Sequence, residues 1–154
     1  MSIVEGRLHD VGLSVPPLVA PLASYVPAVR TGDLVYTSGQ LPIIEGELVA
    51  TGKVGAEISL DEANELAKIC ALNALAAVKA VVGDLDKVER VVKVVGFVSS
   101  HEDFHGQPSV INGASDLLKA AFGDAGIHAR SAVGVAVLPR NAPVEVEIIV
   151  EVRG

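Results

Sequence analysis

The amino-acid sequence has the length of one domain, an aliphatic core and an acidic surface. Of its 154 residues, 50% are hydrophobic and only 3% are aromatic, so the core must be built from Val, Leu, Ile and Ala. The net charge of −7, without a cluster of Lys and Arg, argues against nucleic acid as a partner, because binding to phosphates needs a positive surface.

The composition also indicates a compartment. The single cysteine, Cys70, cannot form an intrachain disulfide, which fits a reducing environment. The first residues lack the apolar run of a signal peptide, and polar residues interrupt the most apolar later segment. We therefore expect one domain over residues 1–154 that is cytoplasmic and has no contact with a membrane.

The first third of the chain predicts an arm followed by a hairpin. Residues 1–23 contain three prolines and predict an irregular arm with at most one short turn. From Tyr25 onward, two strands are predicted around the turn at residues 31–33. A glycine-rich loop follows, with one weak strand near residues 47–50.

The remainder of the chain alternates helices and strands. Ser59 opens a capping box with Glu62, and the helix that follows ends at Gly83. Its apolar residues recur at i, i+3, i+4 and i+7, which predicts a stripe facing the core. The later segments predict a buried strand, a second helix and two final strands, over residues 87–100, 108–122, 129–138 and 144–152.

This order predicts an α+β domain with one mixed β-sheet and two helices packed on one face. In the strand 129–138, Val133, Val135 and Val137 share one face, while Arg130 and Ala132 share the other. We expect the valine face to lie beneath the helices. The opposite face, which mixes small residues with a few charges, is then expected to pack against another copy in a homo-oligomer.

Arg130 and Glu145 are the candidate chemical groups. A guanidinium cannot lose its proton, and burying it unpaired costs several kcal/mol, so Arg130 at the start of an apolar strand requires an anion. Both side chains are expected on the face away from the helices. If the two final strands formed a direct hairpin, they would lie about 20 Å apart along it. A shared site then needs two chains or a non-sequential sheet.

Two interpretations of these residues remain open at this point. Arg130 and Glu145 are either members of surface or interface ion pairs, or parts of a binding site. In the second case the guanidinium holds a ligand carboxylate in a bidentate manner while Glu145 handles a water molecule.

Several segments together resemble the RidA/YjgF family of reactive-intermediate deaminases, once labelled L-PSP endoribonucleases. The resemblance covers residues 17–152. It is carried by ASYVPAV with Tyr25, LVYTSGQLP with Ser38 and Gly39, CALNALAAV, VVKVVGFVSSHEDF, VINGAS with Asn112, and ARSAV with Glu145 fifteen residues after Arg130.

The resemblance implies a chorismate-mutase-like homotrimer whose sheets face a central barrel and whose clefts lie between subunits. The implied activity is hydrolysis of 2-imino acids, or their enamine tautomers such as 2-aminoacrylate, to 2-oxo acids and ammonia, with no cofactor and no metal. Arg130 would bind the substrate carboxylate and Glu145 would activate water. Tyr25, Ser38, Gly39 and Asn112 would shape the pocket.

This sequence departs from the family pattern beside the implied cleft. Ala132 stands where many members carry cysteine, which excludes a thiol role here but changes little if this position acts through its backbone. His128 stands where proline commonly precedes Ala-Arg. These differences leave the substrate size and the turnover open.

Two other functions compete with the deaminase, a carboxylate sensor and a ribonuclease or translation inhibitor. The implied pocket could bind a small carboxylate without catalysis, as a sensor, and the older ribonuclease or translation-inhibitor label is disfavoured by the negative charge. The segment HEDFH matches the H-E-x-x-H zinc motif, but it follows a strand and precedes Gly106, so we expect loop histidines that help to cap the second helix.

Overall fold

The computed structural model describes residues 2–21 and 23–154. Its helices are α1 (Ile3–Asp10), α2 (Leu60–Val82) and α3 (Gln107–Phe122). Its strands are β1 (Ala28–Thr31), β2 (Leu34–Thr37), β3 (Ile43–Ile44), β4 (Glu47–Leu48), β5 (Val88–Ser99), β6 (Ala129–Val135) and β7 (Val144–Val152). No helix in the described part of the chain is long and apolar enough to cross a membrane.

The N-terminal arm contains a helix where at most a short turn was expected. Ser2 caps α1, because its Oγ accepts a hydrogen bond from the Glu5 amide at 3.1 Å. The carboxylate of Asp86 accepts two further hydrogen bonds, from the amides of Ile3 and Val4. The described residues therefore form three α-helices where two were expected, and α1 is held by a residue more than eighty positions away.

The long helix α2 forms as the capping box predicts. The Ser59 hydroxyl accepts a hydrogen bond from the Glu62 amide at 3.1 Å, and the helix ends at Gly83, whose φ is 85°. The predicted apolar stripe is buried for the most part, with Cys70 inside it. This helix packs against β7 and α3 and forms the centre of the core.

The main sheet is mixed and its strand order is β1-β2-β7-β5-β6. β5 and β6 are parallel and are joined by the crossover helix α3, whereas β7 is antiparallel to β5 and β2. The last two strands therefore do not form a direct hairpin, and the sheet has the non-sequential order that the sequence left open. A turn at Pro139–Asn141, where Arg140 and Asn141 adopt positive φ, carries the chain past β5 into the middle of the sheet.

The two faces of β6 are the reverse of the expectation. Ala132 packs against the core beneath α3, while Val133 is 43% exposed on the opposite face. A Cβ atom at Gly134 would lie 2.9 Å from Gln107 Nε2 and 3.2 Å from Ser100 Oγ, so the space on this face beside the start of α3 is narrow. The alternation in β7 is as predicted, with its valines and Ile148 buried and Glu145 on the other face.

Candidate functional site

Arg130 lies on the edge strand β6 and points toward α3. Its Nη1 donates hydrogen bonds to Asn112 Oδ1 at 2.8 Å and to Ser115 Oγ at 3.2 Å, and its Nη2 donates to the Pro108 carbonyl at 3.3 Å. Asn112 and Ser115 are three residues apart, so they lie on the same face of the helix. The first turns of α3 therefore fix the guanidinium against the side of the domain.

No carboxylate of the described residues forms an ion pair with Arg130. All three of its hydrogen-bond acceptors are neutral, and no carboxylate in residues 2–21 and 23–154 lies within ion-pair distance of it. Its Nε–H and the second N–H of Nη2 also have no partner within this part of the chain. Nε and Nη2 lie on one edge of the guanidinium, and this edge has the geometry that matches a carboxylate.

Glu145 lies on the other face of the sheet, in the centre of β7. Its carboxylate rests directly on the backbone of Gly39, where a Cβ atom would overlap with Oε2, so a glycine is required there for this side chain to lie as it does. Burial raises the pKa of Glu145 above its usual value, and the nearby charge of Glu147 raises it further. The site therefore holds a carboxylate with greater basicity than one in water.

Tyr25, Ser38 and Gly39 surround the Glu145 carboxylate. Together with Leu41 and Pro139 they line one cleft of about 340 Å³. The Ser38 hydroxyl donates a hydrogen bond to the Val26 carbonyl at 2.6 Å, which ties the Tyr25 segment to the end of β2. The structure therefore brings four of the implied site residues together, at the surface of the face away from the helices.

Arg130, Asn112 and Ala132 form a second group at a different place. Arg130 pairs with Val94 and Glu145 pairs with Phe97, on opposite sides of β5. Two inter-strand spacings and three residues along the strand separate their Cα atoms by roughly 14 Å. Their side chains also point to opposite faces of the sheet, so the expectation that both lie on one face is wrong.

Two further residues near Arg130 were not identified as site residues from the sequence. Ser115 contacts the guanidinium directly, and the half-buried His128 contacts Ser115. The i, i+3 spacing from Asn112 is the signal that could have found Ser115.

The segment HEDFH does not form the helix that a zinc site of this motif requires. Residues 101–105 form a turn, in which His101 Nδ1 accepts a hydrogen bond from the Asp103 amide. α3 begins after Gly106 without a side-chain cap, so the histidines do not cap this helix as expected. Donor atoms of His101, Glu102 and Asp103 lie within 4.8 Å of one another, but all three residues are adjacent in sequence and partly or fully exposed.

A family model described as "YjgF/chorismate_mutase-like, putative endoribonuclease" matches residues 5–152. The chain belongs to the YjgF/RidA family. Among relatives, it is 43% identical to Protein TCP17 of Trypanosoma cruzi, over 97% of this chain and 94% of that protein. It is 36% identical to a 2-iminobutanoate/2-iminopropanoate deaminase of Dermatophagoides farinae, over 92% of this chain and 95% of that enzyme.

Solved structures place this YjgF/RidA chain among members with a closely similar fold. The Agrobacterium tumefaciens protein Atu1372 is 47% identical and superposes with a TM-score of 0.92, covering 98% of this chain and 93% of that one. Escherichia coli TdcF with bound serine is 26% identical, with a TM-score of 0.61, covering 91% and 94%. The fold is thus the α+β, chorismate-mutase-like one that the resemblance implied.

The raised pKa of Glu145 makes a prediction for stability. Because the folded pKa lies above the unfolded one, the native state binds this proton more tightly, and this contribution to stability is lost as the pH rises from about 4.5 through the folded pKa. Glu145→Gln mimics the protonated form. We therefore expect its free energy of unfolding to equal that of the wild type below pH 4 and to exceed it at neutral pH.

Urea unfolding at several pH values and one fixed protein concentration measures this difference. Glu151→Gln on the exposed part of the same strand is the matched control for the loss of one negative charge. A Glu145→Gln protein that is less stable than the wild type at pH 7 would contradict a raised pKa of Glu145 in the folded protein.

Proposed function

We propose that this protein hydrolyses 2-imino acids and their enamine tautomers to 2-oxo acids and ammonia, without a cofactor. The observation that carries the proposal is the guanidinium of Arg130, which is held by neutral groups and offers two donors on one edge to an external carboxylate. The named activity of the Dermatophagoides relative supports the same class of substrate.

Each site is proposed to form between two protomers of a homotrimer. Arg130 and Asn112 of one protomer, with the backbone of Ala132, face the cleft of Tyr25, Ser38, Gly39 and Glu145 in the next. The separation of the two groups on opposite faces of the sheet supports this, because a small substrate cannot span them within one chain. Exposed apolar side chains on the sheet face away from the helices also favour contact between copies, including Tyr36 and Val133.

The chemistry requires positioning and one base. The substrate carboxylate accepts hydrogen bonds from Nε and Nη2 of Arg130, which holds the protonated C=N group beside Glu145. Glu145 takes a proton from water as the water oxygen bonds to the imine carbon, and the C=N double bond becomes a C–N single bond. Glu145 passes this proton to nitrogen; as the C–N bond breaks and ammonia leaves, the hydroxyl group returns its proton to Glu145 and becomes the C=O group of the 2-oxo acid.

A coupled assay tests this function. An amino-acid oxidase generates the imine continuously, and semicarbazide traps what the protein has not hydrolysed. The imine and the 2-oxo acid give the same semicarbazone, but the imine reacts faster, so we expect the purified protein to lower the initial rate of semicarbazone formation at catalytic concentration. An unchanged initial rate at a protein concentration equal to that of the imine would contradict the proposal.

Binding without catalysis is the second candidate. The bound serine of TdcF shows that a relative with this fold accommodates a small amino acid. If this protein binds without catalysis, 2-oxobutanoate raises its melting temperature while the rate of imine decay stays unchanged.

Ribonuclease activity is disfavoured by the charge of −7, and RNA cleavage that survives Arg130→Ala would be needed to support it.

A further inference from the structure

A chain of hydrogen bonds lies behind Arg130, on the side away from its free donors. His128 Nδ1 lies 2.6 Å from the Gly126 carbonyl oxygen, and His128 Nε2 lies 2.8 Å from Ser115 Oγ. Ser115 Oγ in turn accepts a hydrogen bond from Arg130 Nη1. Four groups are thus connected in series, from a backbone carbonyl to the guanidinium.

The direction of every hydrogen bond in this chain follows from its ends. A carbonyl oxygen only accepts, so the proton of His128 must be on Nδ1. In the neutral ring Nε2 is then an acceptor, and the Ser115 hydroxyl donates to it. Because Arg130 only donates, the remaining lone pairs of Ser115 Oγ face the guanidinium. Each bond polarises the next one, which increases the negative charge on the oxygen that Arg130 contacts.

The backbone end of the chain is fixed in place. A Cβ atom on Gly126 would overlap with the Leu118 carbonyl of α3, so Gly126 lies in direct contact with the helix that also carries Ser115. Gly126 is buried as well. The acceptor for His128 therefore moves together with α3, and the ring has one orientation in which both of its nitrogens are satisfied.

We propose that His128 and Ser115 are positioning residues, which orient the Arg130 guanidinium so that its Nε and Nη2 edge stays free for the substrate carboxylate. This inference rests on the proposed function. Ser115 and Asn112 together use both hydrogens of Nη1, which leaves the carboxylate to bind at the other edge. His128 acts only through Ser115 and does not touch the substrate.

The ring tautomer is the first test and needs no activity. Two-dimensional NMR of protein with ¹⁵N-labelled histidine distinguishes a protonated from an unprotonated ring nitrogen. We expect His128 to carry its proton on Nδ1 at a pH where the ring is neutral. A proton on Nε2 would overturn the inference.

Three variants provide the second test. A substitution that weakens binding of the substrate and of the transition state equally raises KM and the Kd of 2-oxobutanoate together and leaves kcat unchanged. We expect His128→Leu and Ser115→Ala to raise both by roughly five- to tenfold and to change kcat by less than about twofold. His128→Gln, which keeps an acceptor near the position of Nε2, should recover most of the loss. His9→Leu, at an exposed histidine of α1, is the matched control.

The outcomes distinguish the positioning role of His128 and Ser115 from the proposed imine hydrolysis. A wild-type protein that hydrolyses imines and keeps the same KM and Kd after His128→Leu overturns the positioning role alone. A wild-type protein that neither hydrolyses imines nor binds 2-oxobutanoate removes the proposed function, and the positioning role with it. Equal defects in His128→Leu and His128→Gln would also count against the hydrogen-bond chain, since only the second variant retains an acceptor.

Discussion

Arg130→Ala is expected to reduce kcat/KM for imine hydrolysis by roughly 30-fold to 4,000-fold. This range corresponds to about 2 to 5 kcal/mol, the usual cost of removing one partner of a hydrogen-bonded charge pair. The loss should be large because Arg130 is the cation that Asn112 and Ser115 hold in place beside the proposed carboxylate position. The semicarbazide assay, run with and without the variant, measures it.

Arg130→Lys separates charge from geometry. A lysine keeps the positive charge but cannot bind a carboxylate through two parallel donors, so we expect it to recover only a small part of the activity. Arg140→Ala, at an exposed arginine in the turn before β7, controls for a general loss of charge. Activity that survives Arg130→Ala in a correctly assembled protein would contradict the role of this residue.

Mixing two inactive variants should restore activity. If each site takes Arg130 from one protomer and Glu145 from the next, a mixed trimer of Arg130→Ala and Glu145→Gln chains contains some sites in which both residues are intact. With equal amounts of the two variants and complete exchange, half of the chains carry an intact Arg130 and the other half an intact Glu145. About a quarter of the sites then combine both intact residues, so about a quarter of the wild-type activity is expected. Each variant alone should be nearly inactive.

The experiment requires exchange of subunits, for example by joint unfolding and refolding. Arg130→Ala refolded by itself is the control for the procedure. Size-exclusion chromatography of the mixed sample establishes that the chains assemble. No recovery of activity in an assembled mixture would show that Arg130 and Glu145 do not combine across a subunit boundary.

Local sequence signals predicted the elements that local interactions stabilise. Ser59 and Glu62 identified the start of α2, and the alternation of β7 identified its buried face. α1 was missed because part of its cap comes from Asp86, which no short window of sequence connects to Ile3. The sequence left the place of β7 open because a short connection such as the one before β7 ordinarily joins neighbouring antiparallel strands, whereas here β5 lies between β6 and β7.

In the candidate site, too, the sequence identified individual residues but not the packing that positions them. Arg130 and Glu145 were identified from their chemistry and from the family resemblance, yet the face of Arg130 was reversed because Ala132, on the same face of β6, packs against the core beneath α3. The role of Ser115 depends on how α3 is rotated relative to β6, which the sequence does not specify. His128 stood out as a departure from the family pattern beside the implied cleft, two residues before Arg130.

A crystal structure of the assembled protein with 2-oxobutanoate tests the central claim most directly. The account predicts the carboxylate of the ligand on Nε and Nη2 of Arg130 in one protomer, with Glu145 of a neighbouring protomer close to the keto carbon. A guanidinium that points into open solvent in the assembly, with the ligand bound elsewhere or not at all, would contradict it.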